Sequence, residues 1–183
     1  MKQNHFLAVA GLSMAAWLAG CADLTAAQPA AIPDALKVPE GQTLTLKTQA
    51  SGVQIYQCKV AKDDATRFEW ALKAPEANLV DDLGNAIGKH YAGPSWEAID
   101  GSKVVGELKA RDNGPDPAAI PWLLLAAKSN SGSGIFSSVT YVQRLYTVAG
   151  KAPADGCDAG HVDAELRVHY KAAYYFYSAA PAP

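Results

Sequence analysis

Hydrophobic and polar positions alternate with a period of two along most of the chain beyond position 42. Leu44 and Leu46 alternate with Thr43, Thr45 and Lys47. Phe68, Trp70 and Leu72 alternate with Arg67, Glu69 and Lys73. Leu166, Val168 and Tyr170 alternate with Glu165, Arg167 and His169. Such patterns predict strands with one face on a core. Residues 53–60 (VQIYQCKV) read as another strand, with Tyr56 and Cys58 on one face. Residues 120–127 (IPWLLLAA) form a continuous apolar run of strand length, expected to be covered on both faces. Residues 136–148 are β-branched and aromatic, and read as a long strand. Val104 and Leu108 differ in phase, which predicts a bulge near Gly106.

Turn chemistry punctuates these runs. Ser51-Gly52, Lys62-Asp63-Asp64, Asp81 to Asn85, residues 111–117 (RDNGPDP), residues 129–134 (SNSGSG) and residues 149–160 all read as turns or loops. No amphipathic helical pattern of useful length occurs, and no repeat at a fixed period. The expectation is a single all-β domain over residues 40–178, a sandwich or barrel of about 8–10 mostly antiparallel strands. Residues 179–183 read as a disordered tail.

One apolar run has a different meaning. Residues 6–21 follow a short start carrying Lys2 and end in Leu18-Ala19-Gly20-Cys21, the apolar part closing at residue 19. The run is short for a membrane span and has the layout of a secretory signal. Its last four residues look like the lipobox of bacterial lipoproteins. That predicts cleavage after residue 20 and lipidation of Cys21, with a secreted protein cut further on as the alternative. Ala22, rather than Asp, follows the cysteine, which points to the periplasmic face of the outer membrane. Residues 21–39, rich in Ala and Pro, read as a tether. The expected partner is the membrane, reached through Cys21.

Composition narrows the function classes. The 183 residues carry 16 Lys and Arg against 18 Asp and Glu, a formal net charge of −2. The basic residues are scattered singly, so nucleic acid is not an expected partner. Of three cysteines, Cys21 is assigned to lipid. Cys58 and Cys157 remain, and an even pair in an oxidising compartment points to a disulfide, with two separate buried thiols as the alternative.

Residues 88–106 (GKHYAGPSWEAIDGSKVVG) are the densest in chemistry-bearing side chains. Asp100-Gly101-Ser102 suits a hairpin turn. His90, Tyr91, Trp96 and Glu97, joined by Arg144, are the candidate ligand-binding residues. The mixture of aromatic and polar groups on a Gly/Pro-shaped loop suits recognition of a small molecule, a glycan or another envelope component. Trp96 also reads as core. The first alternative is a hydrolase with His90 or Glu97 as general base, and the second is a structural envelope protein.

Other motifs carry less. Gly132-Ser133-Gly134 precedes a strand former, so it lacks the helix N-terminus that a dinucleotide site needs. No nucleophile elbow is present. His90, His161 and His169 are not at ligand spacing on one element, and Asp112, Asn113 and Asp116 lack the order of a calcium loop. No metal and no cofactor is expected.

Taken together, VQIYQC, WALKAPEANL, IGKHYAGPSWEAIDGSKVVG, IPWLLLAA, VTYVQR and KAPADGCD resemble a bacterial and fungal secreted family of unknown function, the domain-of-unknown-function family 3455. The resemblance spans residues 39–177. It implies one secreted domain, with Cys58 and Cys157 paired as part of its motifs. Some fungal members carry a malate dehydrogenase label, which the missing dinucleotide fingerprint argues against here.

Overall fold

Period-two alternation becomes eight antiparallel strands in the computed structural model, which describes residues 31–181. The strands are β1 (Gln42–Val60), β2 (Phe68–Val80), β3 (Ala86–Tyr91), β4 (Ser95–Ala98), β5 (Lys103–Asp112), β6 (Trp122–Ser131), β7 (Val139–Ala149) and β8 (Glu165–Ala179). Each pairs with the next, and β8 returns to pair with β1, so the sheet closes into a barrel rather than splitting into a sandwich. Closure removes free edges. The expected signal peptide, the expected lipidation of Cys21 and the first part of the expected tether fall on residues 1–30, outside the described residues.

Alternate residues fill the interior. Trp96, Phe136, Tyr174 and Phe176 are almost wholly buried there with Leu125 and Val142. Phe136 and Phe176 lie 4.6 Å apart between ring centroids, and Trp96 meets Phe176 edge-on at 6.1 Å. Burial of each such side chain contributes about 1.5–3 kcal/mol. The C-terminal aromatics therefore divide by parity. Tyr170, Tyr174 and Phe176 point inward, while Tyr175 packs in a second cluster on the outer wall. The apolar run in β6 is covered on both faces: Leu123, Leu125 and Ala127 pack inside, and Trp122 and Leu124 outside.

What covers Trp122 and Leu124 is the segment expected to be tether. Residues 34–36 form a 3-10 turn, and Leu36 is fully buried against Trp122, Leu124 and Leu145. Gln143 Nε2 donates to the Leu36 carbonyl at 2.6 Å. The free part of any tether thus ends before Ile32, which also packs on this cluster. Leu36→Ala is expected to cost about 2–3 kcal/mol, at the lower end for a buried leucine because the segment can lift away instead of leaving a cavity. Urea unfolding of the parent, of Leu36→Ala and of a chain lacking residues up to 38 checks this: the substitution must cost no more than removal of the whole segment.

Two further sequence expectations change and two hold. Ser51-Gly52 is not a turn; β1 runs through it unbroken. A Cβ on Gly52 would lie 2.1 Å from the Glu76 carbonyl oxygen, so the glycine marks a close backbone approach to β2. Residue 179 belongs to β8 rather than to a tail, and the Ala180 amide donates to the Gly41 carbonyl. The bulge near Gly106 is present, as a register shift between Val105 and Gly106. Cys58 and Cys157 form a disulfide.

Candidate functional site

Strand parity divides the candidate residues between the two faces of the barrel wall. In the β3–β4 ladder His90 sits opposite Trp96, and Lys89 opposite Glu97. Consecutive residues of a strand face opposite sides. His90 and Trp96 therefore point inward and are 2% and 1% exposed. Glu97 points outward, where its carboxylate accepts from the Tyr91 hydroxyl at 2.5 Å. The expected single surface of His90, Tyr91, Trp96 and Glu97 does not form. His90 and Glu97 cannot share one catalytic site, because the sheet lies between them.

The inward half has defined chemistry. The His90 ring stacks on Trp96 with centroids 4.6 Å apart and planes 14° from parallel. Gly106 makes room for this pair, since a Cβ there would approach Trp96 to 3.0 Å and Leu125 to 3.1 Å. His90 Nδ1 lies 2.9 Å from the Ser95 carbonyl oxygen. A carbonyl only accepts, so Nδ1 carries the proton and Nε2 is left as an acceptor. Burial pushes the His90 pKa down to about 3, and the nearby Arg144 charge acts in the same direction. His90 is therefore a neutral imidazole at neutral pH.

Arg144 also faces inward. It sits between the inward Val142 and Thr147 on β7 and is 9% exposed. Its Nε and Nη2 donate to the Pro121 carbonyl at 3.0 and 2.8 Å, which fixes the guanidinium plane. Among the described residues no carboxylate pairs with it. Tyr174 lies against it, Tyr170 beside Tyr174, and Gln54 beside Tyr170. Gln54 Nε2 and both tyrosine hydroxyls are fully buried, and none reaches hydrogen-bond geometry with a protein partner. Burial raises the pKa of both tyrosines, so both stay protonated donors. An unmet buried polar group costs about 1–3 kcal/mol. Several such groups, in contact chiefly with one another and with one cation, make this the most polar part of the interior.

Two members of this cluster, Gln54 and Arg144, line a cavity that opens to solvent. This cavity of about 610 Å³ is lined by Gln54, Tyr56, His90 and Arg144 at its floor. Tyr56 is held there by donation to the Gly150 carbonyl at 2.7 Å. The rim carries Leu72, Leu108 and Leu123, with Lys73 and Arg111 among them. Leu72 is 57% and Leu108 52% exposed, so the apolar face of β2 runs past the core and out to the mouth. Volume, apolar walls and a few convergent polar groups are the attributes of a small-molecule site.

Sequence reading missed Gln54, Tyr56 and the rim. The available signal was phase: Gln54 shares parity with Tyr56 and Cys58, and Arg144 with Val142. The remaining motifs resolve into turns. Asp100 accepts from the Ser102 amide and hydroxyl and from the Ile135 amide, which holds its carboxyl below the usual range. Asp112 and Asp116 each accept an amide two residues on. His161 pairs with Asp158 on the surface, and His169 is exposed. Among the described residues no group of three or more His, Cys, Asp or Glu is placed to hold a metal.

Fold and site define an eight-stranded meander barrel with a cationic, polar-floored mouth. The family model described as "Protein of unknown function (DUF3455)" matches residues 39–178. The chain belongs to this family. No curated protein and no solved structure matches it.

Proposed function

We propose that this protein is a lipid-anchored module of the cell envelope whose barrel binds a small molecule in its open mouth. The observation that carries the binding half is Gln54. The residue is 1% exposed and its Nε2 reaches full hydrogen-bond geometry with no protein partner, having only the Tyr170 hydroxyl near it, yet the side chain lines a cavity that reaches solvent. A purely structural barrel would gain by replacing it with leucine. The anchor half rests on Leu18-Ala19-Gly20-Cys21 at the end of an apolar run. Binding is favoured over hydrolysis because His90 and Glu97 face opposite sides of the sheet, and the inward His90 has no carboxylate beside it to orient it.

Native mass spectrometry of the full chain extracted from membranes tests both halves at once. The expected result is a polypeptide beginning at an acylated Cys21, carrying a non-covalent small-molecule adduct. The adduct is lost in Leu123→Trp, which fills the mouth. An unmodified residue 21 removes the anchor, and an adduct unchanged by Leu123→Trp removes the mouth.

A further inference from the structure

The charge of the mouth specifies what it holds. The whole chain is net negative, yet the cavity is lined by Lys73, Arg111 and Arg144 and, among the described residues, by no Asp or Glu. Lys73 is already paired with Glu165 outside the mouth. Arg144 is the deep cation, 9% exposed, and among the described residues no carboxylate pairs with it. A buried charge persists only when it is paired and its donors are met. Two of the five guanidinium N–H groups are engaged by the Pro121 carbonyl. Another faces the Tyr174 hydroxyl, and the rest, in a cavity that the Gln54 side chain also lines, offer donors and a single positive charge. One carboxylate neutralises that charge. A dianionic phosphate would leave a net negative charge in the same buried place. Above the floor, Leu72, Leu108, Leu123 and Pro94 offer an apolar wall, which has no use for a small inorganic anion.

We propose that the mouth takes an amphipathic organic carboxylate, its head on Arg144 and Gln54 and its apolar body against Leu72, Leu108 and Leu123. This rests on the reading of the mouth as a binding site. It goes further by fixing the class and the orientation: the charged end is innermost.

Isothermal titration of the purified full chain with octanoate, octanol, octylammonium and octyl phosphate tests it, with the methyl shifts of Leu72, Leu108 and Leu123 followed by NMR. Octanoate is expected to bind and to move these methyls, with the other three at least about tenfold weaker. Arg144→Met and Gln54→Leu should each weaken octanoate by about tenfold or more while leaving octanol unchanged or tighter. Gln54→Leu carries the test if Arg144→Met does not fold. Tyr91→Phe, on the outer wall, serves as the control and should change nothing. Octanol binding as tightly as octanoate, or octanoate binding unaltered in Gln54→Leu, overturns the carboxylate while the mouth stands. Octyl phosphate binding tighter replaces carboxylate with phosphate. If none of the four binds or shifts a rim methyl, the carboxylate and the mouth fall together.

Discussion

Replacing both Cys58 and Cys157 with alanine will lower stability by about 4–5 kcal/mol, the largest effect expected of any change in this protein. The bridge spans a sequence separation of 99, which encloses β2 to β7. In the unfolded chain that loop is held closed only by the disulfide, so cutting it returns its closure entropy to the denatured state. The bridge also sits where the barrel shuts. Cys58 lies near the end of β1, its amide donates to the Ala164 carbonyl, and its carbonyl accepts from the Asp163 amide. These two backbone bonds continue the β1–β8 ladder toward Cys157. Thermal unfolding of the oxidised protein and of the double alanine variant should differ by roughly 10–20 °C. A difference below about 1 kcal/mol in the same buffer would show that the unfolded chain is not constrained by the bridge.

Acidification is expected to remove a comparable amount. The His90 pKa is near 3 in the barrel against 6.5 for a free imidazole. A depressed folded pKa means that the unfolded chain takes up the proton first. The contribution of neutral His90 is therefore complete above about pH 6.5 and is lost as pH falls toward 3. Each unit in that window costs about 1.4 kcal/mol, so roughly 4–5 kcal/mol is at stake across it. The groups that face the ring reinforce the trend. Trp96 and Tyr174 are uncharged, and Arg144 repels an imidazolium. Only the Ser95 carbonyl favours the charged form. His90→Phe keeps a ring on Trp96 and loses the titration. Its unfolding free energy should be lower at pH 7, and its decline between pH 6 and pH 4 shallower than that of the parent. Surface carboxylates contribute equally to both proteins, so the difference between the two curves isolates His90. Parallel curves would mean that another group governs acid sensitivity.

Much of the barrel was legible because alternation is a local signal. Tyr56 with Cys58, the both-sided β6 and the bulge at Gly106 all follow from side-chain period alone. Gly52 was not legible as strand. A lone glycine after serine serves equally for a turn or for close approach, and the choice lies with the Glu76 backbone on another strand. The candidate site suffered from reading residue types without parity. His90 and Tyr91 are neighbours in sequence, as are Trp96 and Glu97, and each pair is split by the wall. Arg144 was singled out, but its partners Gln54, Tyr56 and Tyr174 come from β1 and β8. Only closure of the barrel brings them together. The docking of Leu36 was hidden for a related reason: residues 31–38 have no period of their own and take their place from the outer wall of β6 and β7.

The seam between β1 and β8 also sets when the protein can finish folding. Every pair along it joins residues more than a hundred positions apart. A chain synthesised N-terminus first delivers β1 long before its second partner arrives. Until then β1, the longest strand, shows a row of unmet N–H and C=O groups along one side. Sheets built on such distant pairings fold slowly, in milliseconds to seconds. Completion of this barrel thus waits for the whole chain, and the interval before closure is when the chain is most open to aggregation and to cleavage.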